Sequence, residues 1–256
     1  MDIKDLQANW NEFGKTDPLY SILTYEGKEN NKWDLDEFFG TGRQEIDDRM
    51  DYVHSLGLKV SRKKALDFGC GVGRLTQALA YHFNEVYGVD IASSMIELAR
   101  KYNRHGDRCR YYLNVADDLS LFPDGSFDFI YSNITLQHMN SRYSKEYIME
   151  FVRTLSSGGL MIFQLPSAPT TTNSDDRKGI RQLVKSTIPT PLFGLYRKMR
   201  YRGTRPIMKM YGIGRNDVTS VLGKNGAEIL DIKQFQMAEE GWVSLWYYVR
   251  KRNKTV

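Results

Sequence analysis

The chemistry-bearing part of the chain begins at Ala65-Leu66-Asp67-Phe68-Gly69-Cys70-Gly71-Val72-Gly73-Arg74-Leu75-Thr76. Glycines so spaced let a backbone turn sharply out of a strand and bring a ligand close to main-chain amides. Nucleotide, flavin and phosphate sites all use such turns, so the flanking residues must discriminate. A dinucleotide fingerprint needs glycine where Arg74 stands, and a phosphate P-loop needs a Lys-Ser/Thr pair that does not follow. Further on, Val86-Tyr87-Gly88-Val89-Asp90 ends in an acid whose two acceptor oxygens suit two adjacent hydroxyls. Tyr131-Ser132-Asn133-Ile134-Thr135-Leu136-Gln137-His138-Met139 carries a histidine, a type that titrates near neutrality and serves as a general base. Cys70, held between glycines, reads as a small buried residue and not as a nucleophile. With Cys109 it makes neither a disulfide framework nor a metal-ligand set, so no metal is expected, and a reducing, cytoplasmic setting is.

These residues need elements to hold them. Lys64–Phe68 is a short apolar run closed by glycines, as buried parallel strands are. Leu75, Ala78, Leu79 and Ala80 continue as a helix. Strands follow at 85–89, 110–113 and 127–132, with a helix carrying Met95, Ile96, Leu98 and Ala99 that Ser93 or Ser94 can cap. A helix near 142–156 leads through Gly158-Gly159 to a strand at 160–165. After the insertion come a helix at 216–224 and strands at 227–235 and 243–250, whose short connection predicts antiparallel pairing. Alternating strands and helices imply an α/β fold: a Rossmann-like, doubly wound, seven-stranded sheet, mostly parallel with an antiparallel last strand and helices on both faces.

The D-x-G-x-G-x-G spacing from Asp67 resembles the first motif of class I S-adenosylmethionine (SAM)-dependent methyltransferases, of the small-molecule-acting kind. Val86–Asp90 is similar to that family's second-strand motif. Asp117-Asp118-Leu119, Phe122–Asp128 and Leu155–Leu160 are similar to its later segments, so the resemblance spans most of residues 62–166. It implies SAM as cofactor, with Asp67 and the Gly69 and Gly71 amides, flanking Cys70, at the amino-acid end. An acid there repels phosphate and suits an ammonium. Asp90 would take the ribose hydroxyls, Ile91 and Met95 the adenine faces, and Ala116 and Asp117 its edge. Arg74 could hold the ligand carboxylate bidentately, and Asn133 would border the same site. His138 would lie beside the transferred methyl, as a base or as a helix cap. Tyr20 and the Gly40-Thr41-Gly42-Arg43 turn look like lid elements, although Arg43 suits a surface ion pair equally well.

The 256 residues divide in charge as well as in pattern. Residues 1–61 carry 7 Lys/Arg against 13 Asp/Glu and read as an N-terminal helical cap, rich in exposed aromatics such as Trp10, Trp33 and Phe38. Residues 62–166 and 214–256 form the core. Residues 167–213 break the rhythm as a basic inserted lid, and 177–216 hold 11 Lys/Arg and no acid. Within that stretch a helix from Leu192 would set Leu192, Leu195, Tyr196 and Met199 on one stripe, with Arg197, Lys198 and Arg202 on other faces. The leading expectation is methyl transfer to an O or N atom of a small or medium-sized, anionic or lipid-linked acceptor. Peripheral membrane contact is a further use of the basic helix. Nucleic acid is a weaker partner, since the strand-four segment lacks the Asn/Asp-Pro-Pro-Tyr pattern. A non-catalytic SAM-binding scaffold is the remaining alternative.

Overall fold

The computed structural model describes residues 1–167, 206–236 and 243–253. The helix expected from Leu192 and the 237–241 connection lie outside them. Three helices come first: α1 (Ile3–Thr16), α2 (Pro18–Ile22) and α3 (Leu35–Ser55). Next come β1 (Lys64–Phe68), α4 (Arg74–Leu79), β2 (Glu85–Asp90), α5 (Ser93–Tyr102), β3 (Cys109–Leu113) and β4 (Phe127–Ser132). The chain continues through α6 (Ser141–Thr154), β5 (Leu155–Ser167), α7 (Arg215–Lys224), β6 (Ala227–Gln236) and β7 (Val243–Lys251).

The strands form one seven-stranded sheet in the order β3-β2-β1-β4-β5-β7-β6. β1 to β5 pair in parallel, and β7 runs antiparallel to both β5 and β6. Strand alternation splits the core between the two faces. Leu66, Phe68, Ile130, Phe163 and Tyr247 meet α6 and α7 on one face. Ala65, Phe129, Tyr131, Ile162 and Tyr248 meet α3 and α4 on the other. Because β2 and β4 flank β1, successive connections leave β1 and β4 in opposite directions. The crevice at their carboxyl ends is where such sheets bind ligands.

Three local expectations are corrected. β5 starts at Leu155, not after Gly158-Gly159: a bulge lies between the pairs Phe127–Leu155 and Phe129–Leu160 and absorbs the glycines within the strand. Neither Ser93 nor Ser94 caps α5. Its first amides turn to another helix, Ser94 N donating to Asn11 Oδ1 at 3.2 Å, while both serine hydroxyls bond Asn11 as well. The N-terminal aromatics are not generally exposed: Trp33 and Phe38 are buried with Leu19, Leu23, Val72 and Met95, and Trp10 and Phe13 pack against them. The three N-terminal helices share a small core with Val72, Ala92 and Met95, and the aromatics fill it.

Candidate functional site

The glycine turn is folded onto the end of β2. The amides of Gly69 and Cys70 both donate to the Val89 carbonyl, at 2.8 and 3.0 Å. Gly69 (φ +77°) and Gly71 (φ +51°) occupy the left-handed region, and a Cβ on Gly69 would fall 2.1 Å from Thr135 Oγ1. No other residue type fits that crossing. Asp90 locks the turn: its Oδ2 accepts from Gly71 N at 2.8 Å and its Oδ1 from Ala92 N at 2.9 Å. Burial raises its pKa against the lowering effect of those amides. Each oxygen keeps a second acceptor position.

Beside this turn lies a cavity of about 90 Å³. Of the residues singled out in the sequence, Gly69, Cys70, Gly71, Arg74, Asp90, Ile91, Asn133 and His138 line it. Tyr20, Arg43, Asp67, Met95, Ala116 and Asp117 are not among its lining residues. The Tyr20 hydroxyl donates to Glu29 at 3.4 Å, and α2 presents Ile22 to the cavity in its stead. Arg43 pairs with Asp47 at 2.6 Å and lies over the Tyr81 ring. Met95 is buried in the cap cluster. The Ala116 carbonyl accepts from the Tyr147 hydroxyl at 2.7 Å, while Asp117 is exposed.

Sequence reasoning missed several lining residues. Asn114 follows β3 as Asp90 ends β2 and Asn133 follows β4, so its carboxyl-edge position alone could have marked it. Ile3, Leu6 and Trp10 of α1 close the cavity from above, which no local pattern signals.

Asp67 sits beneath the turn, fully buried. Its Oδ2 accepts from the Thr76 hydroxyl at 2.6 Å, while Oδ1 has no partner among the described residues. Burial pushes its carboxyl up to about 7, with the Thr76 bond and Arg74 opposing. The folded value thus exceeds the unfolded one. Stability from the bound proton is complete below the unfolded pKa, near 3.8, and is lost as pH rises through 7. Asp67→Asn should therefore be the more stable protein at pH 8, by up to about 4 kcal/mol. The difference should close toward pH 4. Urea midpoints at the two pH values check this, and a pH-independent difference would mean that Asp67 holds no such proton.

Glu45, from the middle of α3, is the polar centre of the cap. Its Oε2 pairs with Arg74 Nη2 at 2.9 Å, and its Oε1 accepts from Tyr131 Oη at 2.8 Å and Asn133 Nδ2 at 2.7 Å. Arg74, 4% exposed, also reaches Thr41 Oγ1 at 3.3 Å. The guanidinium expected to meet a ligand carboxylate already holds one from the cap. An acid inside an amphipathic helix carries no mark of such a role in sequence.

His138 is buried, with its ring edge-on to Trp10 at 5.5 Å. Its Nδ1 donates to the Lys209 carbonyl at 3.0 Å, leaving Nε2 as the basic atom, which the Gln137 amide meets at 3.2 Å. Gln164 continues the chain from Gln137 Oε1, at 3.1 Å, to Ser244 Oγ, at 2.6 Å. Desolvation lowers the His138 pKa.

The donor set fits SAM. A glycine cradle admits a close ligand, and Asp90 offers spare acceptor positions to hydroxyls. No group of metal-ligating side chains occurs among the described residues. The comparisons agree. Residues 66–163 match the family model described as a methyltransferase domain. A phosphoethanolamine N-methyltransferase of Triticum aestivum is 31% identical over 49% of this chain and 24% of its own length. A ubiquinone biosynthesis O-methyltransferase of Hydrogenovibrio crunogenus is 25% identical over 61% of this chain and 64% of its own. The chain thus spans about a quarter of the first of these relatives. Magnesium protoporphyrin IX methyltransferase from Synechocystis, solved with bound SAH, shares the fold at a TM-score of 0.60 and 21% identity, over 98% of this chain and 100% of that one. The sheet order, the glycine turn and the family match all fall on the same segment, so residues 66–163 resemble the domain of class I SAM-dependent methyltransferases.

Proposed function

We propose that the protein transfers the methyl group of SAM to an oxygen or nitrogen atom of a small or medium-sized acceptor that carries an anionic group. One observation carries the acceptor's charge: the end of the acid-free basic stretch returns to the rim of the cavity. Ile207 N donates to Asn9 Oδ1 at 2.8 Å, Tyr211 N to the Gln137 carbonyl at 2.7 Å, and the Lys209 carbonyl accepts from His138. The insertion, residues 167–213, then serves as the acceptor-recognition lid, and residues 1–61 as the cap over the donor. Relatives named for phosphoethanolamine favour the same charge. Two buried cysteines without a disulfide are compatible with a cytoplasmic setting. The described residues contain no helix long and apolar enough to cross a membrane.

SAM supplies an activated methyl group, so the chain's task is alignment and exclusion of water. Asp90 holds the donor through its spare acceptor positions, and the glycine turn gives it room to approach. The Gly69 and Gly71 amides, expected to meet the ligand, instead bond the Val89 carbonyl and Asp90. Ile3, Leu6 and Trp10 shield it from solvent. His138 is neutral near pH 7, because burial lowers its pKa, and its Nε2 can take a proton from an O or N acceptor in exchange for the Gln137 bond.

The test is SAM binding by calorimetry, followed by methyl incorporation from labelled SAM into small-molecule, lipid and RNA fractions. Incorporation into the small-molecule or lipid fraction is expected. His138→Ala should lower turnover about 100-fold at unchanged SAM affinity. Neutralising Arg197, Lys198, Arg200 and Arg202 together should raise the acceptor KM. Incorporation into RNA alone would favour the nucleic-acid reading, and binding without incorporation the scaffold.

A further inference from the structure

Ile134, two residues after β4, has φ +57°. A β-branched side chain in the left-handed region is a true outlier, kept only where the surroundings over-determine it. Here they do. On one side Asn133 is tied to α3 through Nδ2 and Glu45, at 2.7 Å. On the other, Thr135 is wedged into the space over Gly69, with its Oγ1 returning to the Asn133 carbonyl at 3.0 Å. Ile134 N itself donates to Gln164 Oε1 at 3.2 Å, and its side chain packs on the cap cluster.

The consequence is geometric. In extended chain, successive side chains point to opposite sides. Yet Asn133, Ile134 and Thr135 all line the same cavity. Ile134 in the left-handed region, followed by Thr135 in the right-handed helical region (φ −109°, ψ −58°), ends the alternation and turns the wall inward.

We propose that Ile134 is a positioning residue for methyl transfer: its left-handed backbone, with the turn at Thr135, sets three consecutive residues against the donor cavity and fixes how an acceptor atom approaches the methyl. This rests on the functional reading above. The strain is held by the cap through Glu45 and by the relay through Gln164, so the wall has its working shape only when both are docked.

Three variants test it. Ile134→Ala removes the side chain but keeps a Cβ in the left-handed region, whereas Ile134→Gly removes both. At an ordinary site glycine is the less stable of the two. Here the order reverses, with the glycine variant melting about 2–4 °C above the alanine variant. In methyl incorporation from labelled SAM into a deproteinised cell extract, the glycine variant loses at least about tenfold in rate at saturating SAM. Its Kd for SAM by calorimetry stays within about twofold of wild type, and Ile134→Val, which keeps shape and strain, stays within about threefold in rate. A glycine variant no more stable than alanine, or one as fast as wild type, overturns the inference. A wild-type protein that binds no SAM overturns the functional reading instead, and positioning with it, while the melting order still reports the strained turn.

Discussion

Asp90→Ala should weaken SAM binding by about 10²–10⁴-fold, since two hydrogen bonds to a charged acceptor contribute about 1.5–3 kcal/mol each. Both Asp90 oxygens also hold amides, of Gly71 and Ala92, so the variant loses the clamp between the glycine turn and β2. Asp90→Asn separates the two effects, because it keeps an acceptor for one amide but removes the charge. Burial raises the Asp90 pKa, and protonation removes an acceptor. SAM affinity should then start to fall at a higher pH than an ordinary carboxylate would set. Calorimetry across pH, with circular dichroism to check the fold, measures both. Affinity within twofold of wild type in a folded Asp90→Ala protein would remove this residue from the site.

The second large effect is on stability. Glu45→Ala should destabilise the protein by about 3–5 kcal/mol, because it strands the buried Arg74 guanidinium and removes the acceptor for Tyr131 and Asn133. Replacing both partners, Glu45→Leu with Arg74→Met, should cost clearly less than Glu45→Ala alone, since no unpaired charge then remains inside. Urea denaturation at pH 7 gives the comparison. A loss below about 1 kcal/mol in Glu45→Ala would mean that water reaches Arg74 through the cleft lined by Thr41, Glu45 and Arg49. Both outcomes bear on the donor cavity, whose wall includes Arg74 and Asn133.

What the sequence by itself determined is local in origin. Short apolar runs closed by glycine make buried strands, and their alternation with helices makes a parallel sheet. Glycines at 69 and 71 mark where the backbone must turn and be approached closely. An acid closing β2 marks the edge where a ligand sits. All of these act over a few residues, so periodicity and spacing reveal them, and the family resemblance rests on the same segments.

What only the tertiary structure decided depends on contacts distant in the chain. Arg74 meets a carboxylate from α3, 29 residues away. Ser94 finds its cap partner in Asn11, 83 residues back. The N-terminal aromatics are interior because α1 to α3 share a small core with Val72, Ala92 and Met95. Ile134 reads as an ordinary residue after the fourth strand until Glu45, Gln164 and Thr135 hold it and its neighbours and bend it into the left-handed region. Burial follows the same logic: Asp67 titrates near 7 because the turn above it excludes water, a property of packing that no spacing of residues encodes.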